Sequence, residues 1–222
     1  DCLLSRGLGD VYKRQCPGCR SKITYIKQPV CYRCGKQLED DEQEYCHDCV
    51  VKQHNFKRGV AAFSYSQGMK KSMYAFKYNN RREYAKYYAS VIAKEFKDVI
   101  FSWNCEVLVP VPLHRRKLIK RGYNQAEILA KRLSEQLLIP MDNKILIRTR
   151  NTVPLKELSE KERITNLKSA FQTDEIKLKY KRIILVDDIY TTGSTIDECA
   201  WTLLRNGAEE VYFITACIGR GF

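Results

Sequence analysis

The sequence predicts an α/β protein, in which a mostly parallel sheet is flanked by helices and a small metal-binding module lies at the N-terminal side. Short apolar runs alternate with segments of helical periodicity from residue 58 onward. Seven of the ten cysteines lie within the first 49 residues. Positive charge instead concentrates at residues 52–181, which contain 28 Lys and Arg against 12 Asp and Glu. Sulfur and positive charge therefore belong to different parts of the molecule.

The composition excludes several classes of protein. Hydrophobic residues make up 44% of the 222 residues, which is enough for a substantial core and too many for a mainly disordered chain. No stretch approaches the roughly 18 consecutive apolar residues of a membrane-spanning helix, so we expect no membrane span. The start lacks the apolar segment of a signal peptide. We therefore expect a cytoplasmic protein, where cysteine pairs bind metal more often than they form disulfides.

Three Cys-x-x-Cys pairs predict a structural zinc site. Two intervening residues allow both thiolates of a pair to reach one ion from a tight turn, and four thiolates complete a tetrahedral Zn²⁺ site. The second and third pairs begin fifteen residues apart, within the range of four-cysteine zinc sites. The candidate metal ligands are Cys16, Cys19, Cys31, Cys34, Cys46 and Cys49.

Six cysteines fill one such site and leave two ligands over. By sequence order, the second and third pairs form one closed set. Cys16 and Cys19 then need further ligands, and upstream of them the sequence offers only Cys2. His47 and His54 are alternative ligands. A redox-active pair of the thioredoxin kind is the competing interpretation, although that motif usually stands alone after a strand.

Strands and helices alternate in the remainder of the sequence. The apolar runs predict strands over residues 60–65, 107–112, 183–186 and 211–216. Helical spacing of apolar residues predicts helices over residues 82–97, about 126–137 and about 194–206. We therefore assign a zinc-ribbon module to residues 16–57 and the sheet domain to residues 58–222. Residues 1–15 show no periodicity, and we expect them to be non-native or unstructured.

The stretch from Ile183 to Thr195 is the most informative. Its apolar strand leads into Asp187 and Asp188, and hydroxyl residues with one glycine then open a helix. Backbone N–H groups at a helix N-terminus favour a phosphate, and the hydroxyl groups add donors. The two carboxylates repel a phosphate, but they suit sugar hydroxyls or Mg²⁺ beside it. The predicted phosphate-binding residues are Thr191, Thr192, Gly193, Ser194 and Thr195.

This stretch resembles the signature of the type I phosphoribosyltransferases, which bind phosphoribosyl pyrophosphate (PRPP). Two further blocks are similar to the ComF family of competence-associated proteins, one over residues 109–117 and 121–126 and one over residues 158–171. The pairs that begin at Cys31 and Cys46 resemble the double zinc ribbon of the same family. The resemblance covers roughly residues 16–220.

The resemblance implies a type I phosphoribosyltransferase-like sheet and a role for each site residue. Asp187 and Asp188 would be the catalytic carboxylates, holding the ribose hydroxyls and the Mg²⁺ of PRPP, and residues 191–195 would hold its 5′-phosphate. The pyrophosphate would lie near the loop after Val111. Because pyrophosphate leaves while positive charge develops on the sugar, cations belong at the leaving group. The cations that could reach it are Arg115, Arg116 and Arg121.

Two functions fit these observations. The first is Mg²⁺-dependent phosphoribosyl transfer from PRPP to an unidentified acceptor, linked to competence and DNA uptake, with other competence proteins as candidate partners. The alternative is a non-catalytic accessory protein that binds single-stranded DNA. Aromatic residues interleave with cations at residues 74–82, a pattern that suits base stacking along a charged surface. A Cys-x-x-Cys oxidoreductase is a third, more distant interpretation.

Overall fold

The computed structural model describes residues 23–149, 170–173 and 178–219. Residues 1–15, Cys16 and Cys19, together with most of the block at 158–171, lie outside these ranges. The helices are α1 His47–Val51, α2 Gln67–Tyr78, α3 Tyr84–Ser102, α4 Arg115–Arg121, α5 Gln125–Leu137 and α6 Ser194–Arg205. The strands are β1 Arg58–Ser64, β2 Val107–Pro110, β3 Leu146–Arg148, β4 Phe171–Thr173, β5 Arg182–Tyr190 and β6 Glu210–Ile218.

Four of the strands form the predicted parallel sheet. Their order is β1-β6-β5-β2, and every pairing within this sheet is parallel. Strands β3 and β4 form a separate antiparallel pair. Helix α6 connects the two central strands, β5 and β6, as expected for a β-α-β crossover. The predicted fold class is therefore confirmed.

Both faces of the sheet are covered. Ile184 and Val186 of β5 pack with residues from helices α2, α3 and α5. Ile183 and Leu185 alternate with them and pack on the opposite face with residues from α6 and from the cysteine module. This double burial explains why the strand is a continuous apolar run in the sequence. None of the described helices is both long and apolar enough to cross a membrane.

Strand β5 is longer than the sequence predicts. We expected it to end at Val186, but β5 continues to pair with β6 as far as Tyr190 and Ile218. The neighbouring strand β2 stops earlier, where Pro110 lies opposite Val186. The two aspartates therefore lie on a strand that is paired on one side only, beyond the end of β2.

Helix α2 was not predicted. The strand predicted over residues 60–65 is followed by this helix, whose first turn contains Gly68. The buried residues Met69, Met73 and Phe76 have the helical spacing that could have revealed it. This helix brings a lysine to the carboxyl end of the sheet.

Short segments of chain cover both outer edges of the sheet. Along β1, the amide of Ser64 donates to the Thr24 carbonyl at 2.9 Å, and the amide of Ile26 donates to the carbonyl of Ala62 at 3.1 Å. Along β2, Leu108 exchanges hydrogen bonds with the segment at residues 140–142. Both edges are thus hydrogen-bonded to short segments within the described part of the chain.

The cysteine module is attached to the same sheet through its backbone. The amide of Gly59 in β1 donates to the carbonyl of Arg33 at 2.8 Å. Gly35 has a φ of +74°, and a Cβ there would lie 2.9 Å from the Gly59 carbonyl oxygen. A glycine is therefore required where the module meets the strand.

Candidate functional site

Four cysteines converge in the N-terminal module. The Sγ atoms of Cys31, Cys34, Cys46 and Cys49 all lie within 4.8 Å of one another, and all four residues are buried. A tetrahedral zinc ion with Zn–S bonds of about 2.3 Å places its sulfur ligands about 3.8 Å apart. The Sγ atoms of Cys34 and Cys46 are 3.6 Å apart, which fits this geometry. The closed set predicted from sequence order is therefore the set that the fold assembles, and it fits a structural zinc ion.

The two histidines considered as substitute ligands do not join this group. His47 is exposed, and His54 contacts Asp197 of helix α6 instead. Within the described residues, the four cysteines are the group found suitable for a metal ion. Beside them, the buried Lys36 pairs with Asp48 at 2.6 Å, which places a positive charge next to the thiolates.

Asp187 and Asp188 lie at the carboxyl end of the sheet. The amide of Asp188 donates to Oδ1 of Asp187 at 2.8 Å, which turns the first carboxylate back along the strand. Asp187 is half-buried, and burial, with the negative charge of Asp188 as the second cause, raises its pKa to about 7. Asp188 is buried and pairs with Nζ of Lys77 at 2.9 Å. The two carboxylates therefore differ, one being paired and the other ready to accept a partner.

A tight bend follows the carboxylates. Gly193 is the N-cap of helix α6 and has a φ of +79°. A Cβ at this position would lie 2.4 Å from the hydroxyl oxygen of Tyr190, whose ring stacks on Phe213 at 4.9 Å. The hydroxyl groups of Thr192 and Ser194 are 3.0 Å apart. The chain thus presents hydroxyl groups at the start of a twelve-residue helix, where the first backbone N–H groups lack helical partners.

A cluster of four cations faces the carboxylates, formed by Lys77, Lys117, Arg121 and Arg148. Burial, together with the positive charges of the other three, lowers the pKa of Lys117. The charges of Lys77 and Arg148 act in turn on Asp187, where they partly oppose the rise of its pKa. Mutual effects of this kind require the groups to be close. We call this group the basic cluster.

Arg121 connects the basic cluster to an aromatic surface. Its guanidinium donates to Oε1 of Gln125 at 2.7 Å and to the Tyr78 hydroxyl at 3.1 Å. The same group lies 4.9 Å from the centre of the Tyr78 ring. Tyr78 in turn contacts Tyr74, with ring centroids 4.9 Å apart, and both tyrosines are more than half exposed.

The predicted site residues lie on strand β5, at the bend that leads into helix α6, and on helix α4. Asp187, Asp188 and residues 191–195 are consecutive along β5, the bend and α6. Arg121 lies within the basic cluster. Arg115 and Arg116 begin helix α4 and are exposed, with the Arg116 amide donating to Nδ1 of His114.

Three cations of the basic cluster were missed by sequence reasoning. Lys77 was considered as part of a basic and aromatic surface, but it is partly buried against Asp188. Lys117 follows Arg115 and Arg116 in the sequence but was not singled out, and it is half-buried. Arg148 comes from strand β3, which no periodicity predicted. Only the cationic content of residues 52–181 pointed in this direction.

Two protein families match different parts of this chain. The Double zinc ribbon domain family matches residues 1–50, and the Phosphoribosyl transferase domain family matches residues 118–221. The "Competence protein F" of Haemophilus influenzae is 32% identical over 216 residues, covering 95% of this chain and 93% of the relative. The "DNA utilization protein YhgH" of Escherichia coli is 31% identical, covering 89% of this chain and 87% of the relative.

A relative from Bacillus subtilis and one solved structure are also similar. The "Competence protein ComFC" of Bacillus subtilis is 30% identical over 207 residues, covering 88% of this chain and 80% of the relative. A purine phosphoribosyltransferase from Pyrococcus horikoshii Ot3 aligns with 60% of this chain and 74% of its own, with 19% identity and a TM-score of 0.37. That structural similarity is too low to add to the fold assignment.

Proposed function

Because this chain belongs to the ComF family of competence-associated proteins, which combine a double zinc ribbon with a phosphoribosyltransferase domain, we propose that it binds PRPP with Mg²⁺ and transfers phosphoribose to a nitrogen acceptor. One observation carries this proposal. The carboxylates of Asp187 and Asp188 precede a helix N-terminus suited to phosphate, and they lie close to Lys77 and Arg148 of a basic cluster suited to pyrophosphate. PRPP carries in one molecule the three groups that these features would bind, namely a 5′-phosphate, ribose hydroxyls and a pyrophosphate.

The start of helix α6 supports binding of the 5′-phosphate. Its first N–H groups point out of the helix, and the bend at Gly193 lets the backbone approach a ligand closely. The hydroxyl groups of Thr192 and Ser194 contact each other at 3.0 Å. In the proposal, both rotate to donate to the phosphate when it binds. In the proposal, residues 191–195 hold this end of PRPP.

The carboxylates support binding of the ribose and of Mg²⁺. Carboxylate oxygens are hard donors of the kind that Mg²⁺ prefers. The raised pKa of Asp187 fits a carboxylate whose ionised form is stabilised when a cation or a hydroxyl donor approaches. Bound Mg²⁺ would neutralise charge on the leaving pyrophosphate. Asp187 and Asp188 would orient the ribose hydroxyls and stabilise the positive charge that develops on the sugar.

The basic cluster supports binding of the pyrophosphate. Burial among other cations is unfavourable for Lys117 unless an anion joins the group, and its lowered pKa expresses that cost. Arg121 is positioned by Gln125 and Tyr78, so a planar donor pair is held at the edge of the cluster. The exposed Arg115 and Arg116 remain proposed contacts that could reach the same ligand from the start of α4.

Thermal stabilisation by PRPP tests the proposal. Millimolar PRPP with Mg²⁺ should raise the Tm of the full chain, since a ligand that binds only the native state stabilises it. Asp187→Asn combined with Asp188→Asn should abolish the shift, and Glu95→Gln with Asp98→Asn, two exposed acids of α3, should leave it intact. Absence of any shift in the unmodified chain would contradict the proposal.

The exposed tyrosines favour single-stranded DNA binding as a second function. Tyr74 and Tyr78 present two tilted rings in contact to solvent, and Arg121 lies against one of them. Nearby, the guanidinium of Arg82 lies 4.4 Å from the centre of the Tyr123 ring. Aromatic faces beside cations bind single strands without reading their sequence. The relatives' names, which refer to competence and DNA utilization, are consistent with such a partner.

A labelled oligo-dT titration tests this second function. Tyr74→Ala with Tyr78→Ala should weaken binding at least about tenfold, because each stacked base is worth about 1–3 kcal/mol. Tyr32 and Tyr45 form a matched control, since they are also exposed and in edge contact at 6.3 Å, but lie on the cysteine module. Affinity should fall steeply with added salt. An equal loss of DNA affinity in the two double variants, or an affinity that does not depend on salt, would argue against DNA binding by Tyr74 and Tyr78.

A further inference from the structure

Lys77 reaches the carboxyl end of the sheet from another layer of the fold. Its Nζ atom lies 2.9 Å from Oδ2 of Asp188, and the two side chains are 21% and 11% exposed. The last turn of its helix is fixed, because the hydroxyl of Tyr123 donates to the carbonyl of Phe76 and Nε2 of Gln125 donates to the carbonyl of Lys77 at 3.5 Å. The lysine can therefore leave Asp188 only by rotating its side chain.

The ammonium group of Lys77 keeps its charge in this position. Its Nζ atom lies within ion-pair distance of the Asp188 carboxylate, and a lysine paired with a carboxylate is charged at neutral pH. The protein itself thus supplies a cation to Asp188. Removing either partner would leave an uncompensated charge in a partly buried site.

We propose that Lys77 is the resident counter-cation of Asp188 and competes with divalent cations for this carboxylate. The inference rests on the proposed PRPP site, because Asp188 is one of the carboxylates assigned there to Mg²⁺. A divalent cation on Oδ2 of Asp188 would lie within a few ångströms of the ammonium group, and two cations repel each other strongly at that distance in a partly buried site. Free divalent cations therefore bind weakly while Lys77 holds Asp188.

Lys77 can also direct its charge toward the basic cluster instead of Asp188. Arg121 and Lys117 are close enough to interact with it electrostatically, and all three belong to the basic cluster. When a cation arrives together with an anionic ligand, the cation can take Asp188 and the anion can receive the ammonium group. Lys77 is thus a positioning residue that makes cation binding depend on the anion.

Binding of Mn²⁺, a paramagnetic probe, to the full chain without PRPP tests the inference. Lys77→Met should raise Mn²⁺ affinity by about tenfold, because a competing positive charge is removed. Lys77→Arg should keep the weak affinity of the unmodified chain. Combining Lys77→Met with Asp188→Asn should cancel the gain. A residue with a merely structural role would lower or preserve Mn²⁺ affinity when changed, and either result in Lys77→Met would overturn the inference.

A labelling measurement on the unmodified chain covers the case in which the variants fail to fold. Saturating Mn²⁺ should increase acylation of Lys77, because a side chain displaced from its partly buried ion pair becomes accessible to the reagent. Lys70, an exposed lysine of the same helix, should be unaffected. Unchanged labelling of Lys77 would overturn the inference. PRPP-dependent stabilisation of the unmodified chain is measured separately, so failure of the proposed function is distinguishable from failure of this one.

Discussion

The imidazole Nδ1 of His54 lies 2.6 Å from Oδ2 of Asp197, in the first turn of helix α6. The His54 side chain is fully buried and stacks on Phe56 at 4.6 Å. Beside it, the amide of Asn55 donates to the other oxygen of Asp197 at 2.9 Å. The C-terminal end of the zinc-ribbon module therefore contacts the helix that begins at the proposed phosphate site.

Removing this contact should loosen the start of helix α6. His54→Phe keeps the stacking on Phe56 but deletes the bond to Asp197, and should lower the free energy of unfolding by about 1–3 kcal/mol. His54→Asn places an amide near the position of Nδ1 and should recover part of the loss. Denaturant unfolding measures both. Equal stability of all three proteins would show that the contact contributes nothing.

Zinc removal should destabilise both parts of the molecule. The four cysteines belong to the same buried cluster as Phe213 and the buried face of α6, so loss of the module exposes one side of the sheet. We expect Cys46→Ser to lose bound zinc and to lower the Tm by on the order of 10 °C. Cys105→Ser, outside the quartet, should retain full zinc content by elemental analysis. Normal zinc content in the Cys46 variant would contradict the assignment.

Gly193 should tolerate no side chain. Gly193→Ala introduces a Cβ at a φ of +79°, against the buried ring of Tyr190, and should cost about 1–3 kcal/mol of stability and at least about tenfold in PRPP affinity. Gly219→Ala is the matched control, since a Cβ there meets only ordinary contacts at 3.7 Å and beyond. Calorimetry with PRPP measures both variants. A full-affinity Gly193 variant would remove this bend from the proposed phosphate site.

The stability of the chain should depend on the ionisation of Asp187. Its pKa is about 7 in the folded protein, above the ordinary value of about 3.9, so the folded state binds the proton more tightly. The associated stability is present below pH 4 and is lost as the pH rises through about 7. Asp187→Asn should therefore gain about 2 kcal/mol relative to the unmodified chain between pH 5 and pH 8, after discounting for partial exposure.

Urea unfolding at the two pH values, without divalent cations, measures this difference. Asp98→Asn, which removes an exposed acid from α3, should show no comparable change. A difference between Asp187→Asn and the unmodified chain that is independent of pH would contradict the raised pKa.

The basic cluster should dominate pyrophosphate binding. Lys117→Met and Arg121→Gln should each weaken pyrophosphate binding about tenfold or more, because their charges converge with those of Lys77 and Arg148. Arg115→Gln with Arg116→Gln should have the smaller effect, since both side chains are exposed at the start of α4. Isothermal titration compares them. Larger losses from the Arg115 and Arg116 pair than from Lys117 or Arg121 would move the proposed pyrophosphate position toward the start of α4.

Sequence patterns predicted the features that depend on residues close together in the chain. The zinc quartet followed from cysteine spacing, and the carboxylates and the bend followed from thirteen consecutive residues that run from β5 into α6. The predicted end of β5 was wrong because the length of a strand depends on its partner strand. Strand β6 continues to Ile218 after β2 has ended. The contact of Lys77 with Asp188 joins residues 111 positions apart, which no periodicity encodes. The basic cluster was hidden for the same reason.

The covered edges of the sheet have a consequence for how this protein associates with others. An open edge strand offers unpaired amides and carbonyls to any extended peptide and is a common start of aggregation. Here residues 24–26 and 140–142 already occupy these groups along β1 and β2. Strand addition along these parts of β1 and β2 is therefore blocked, and self-assembly into fibrils through them is disfavoured. Partners are left with side-chain surfaces, such as the exposed tyrosines of helix α2.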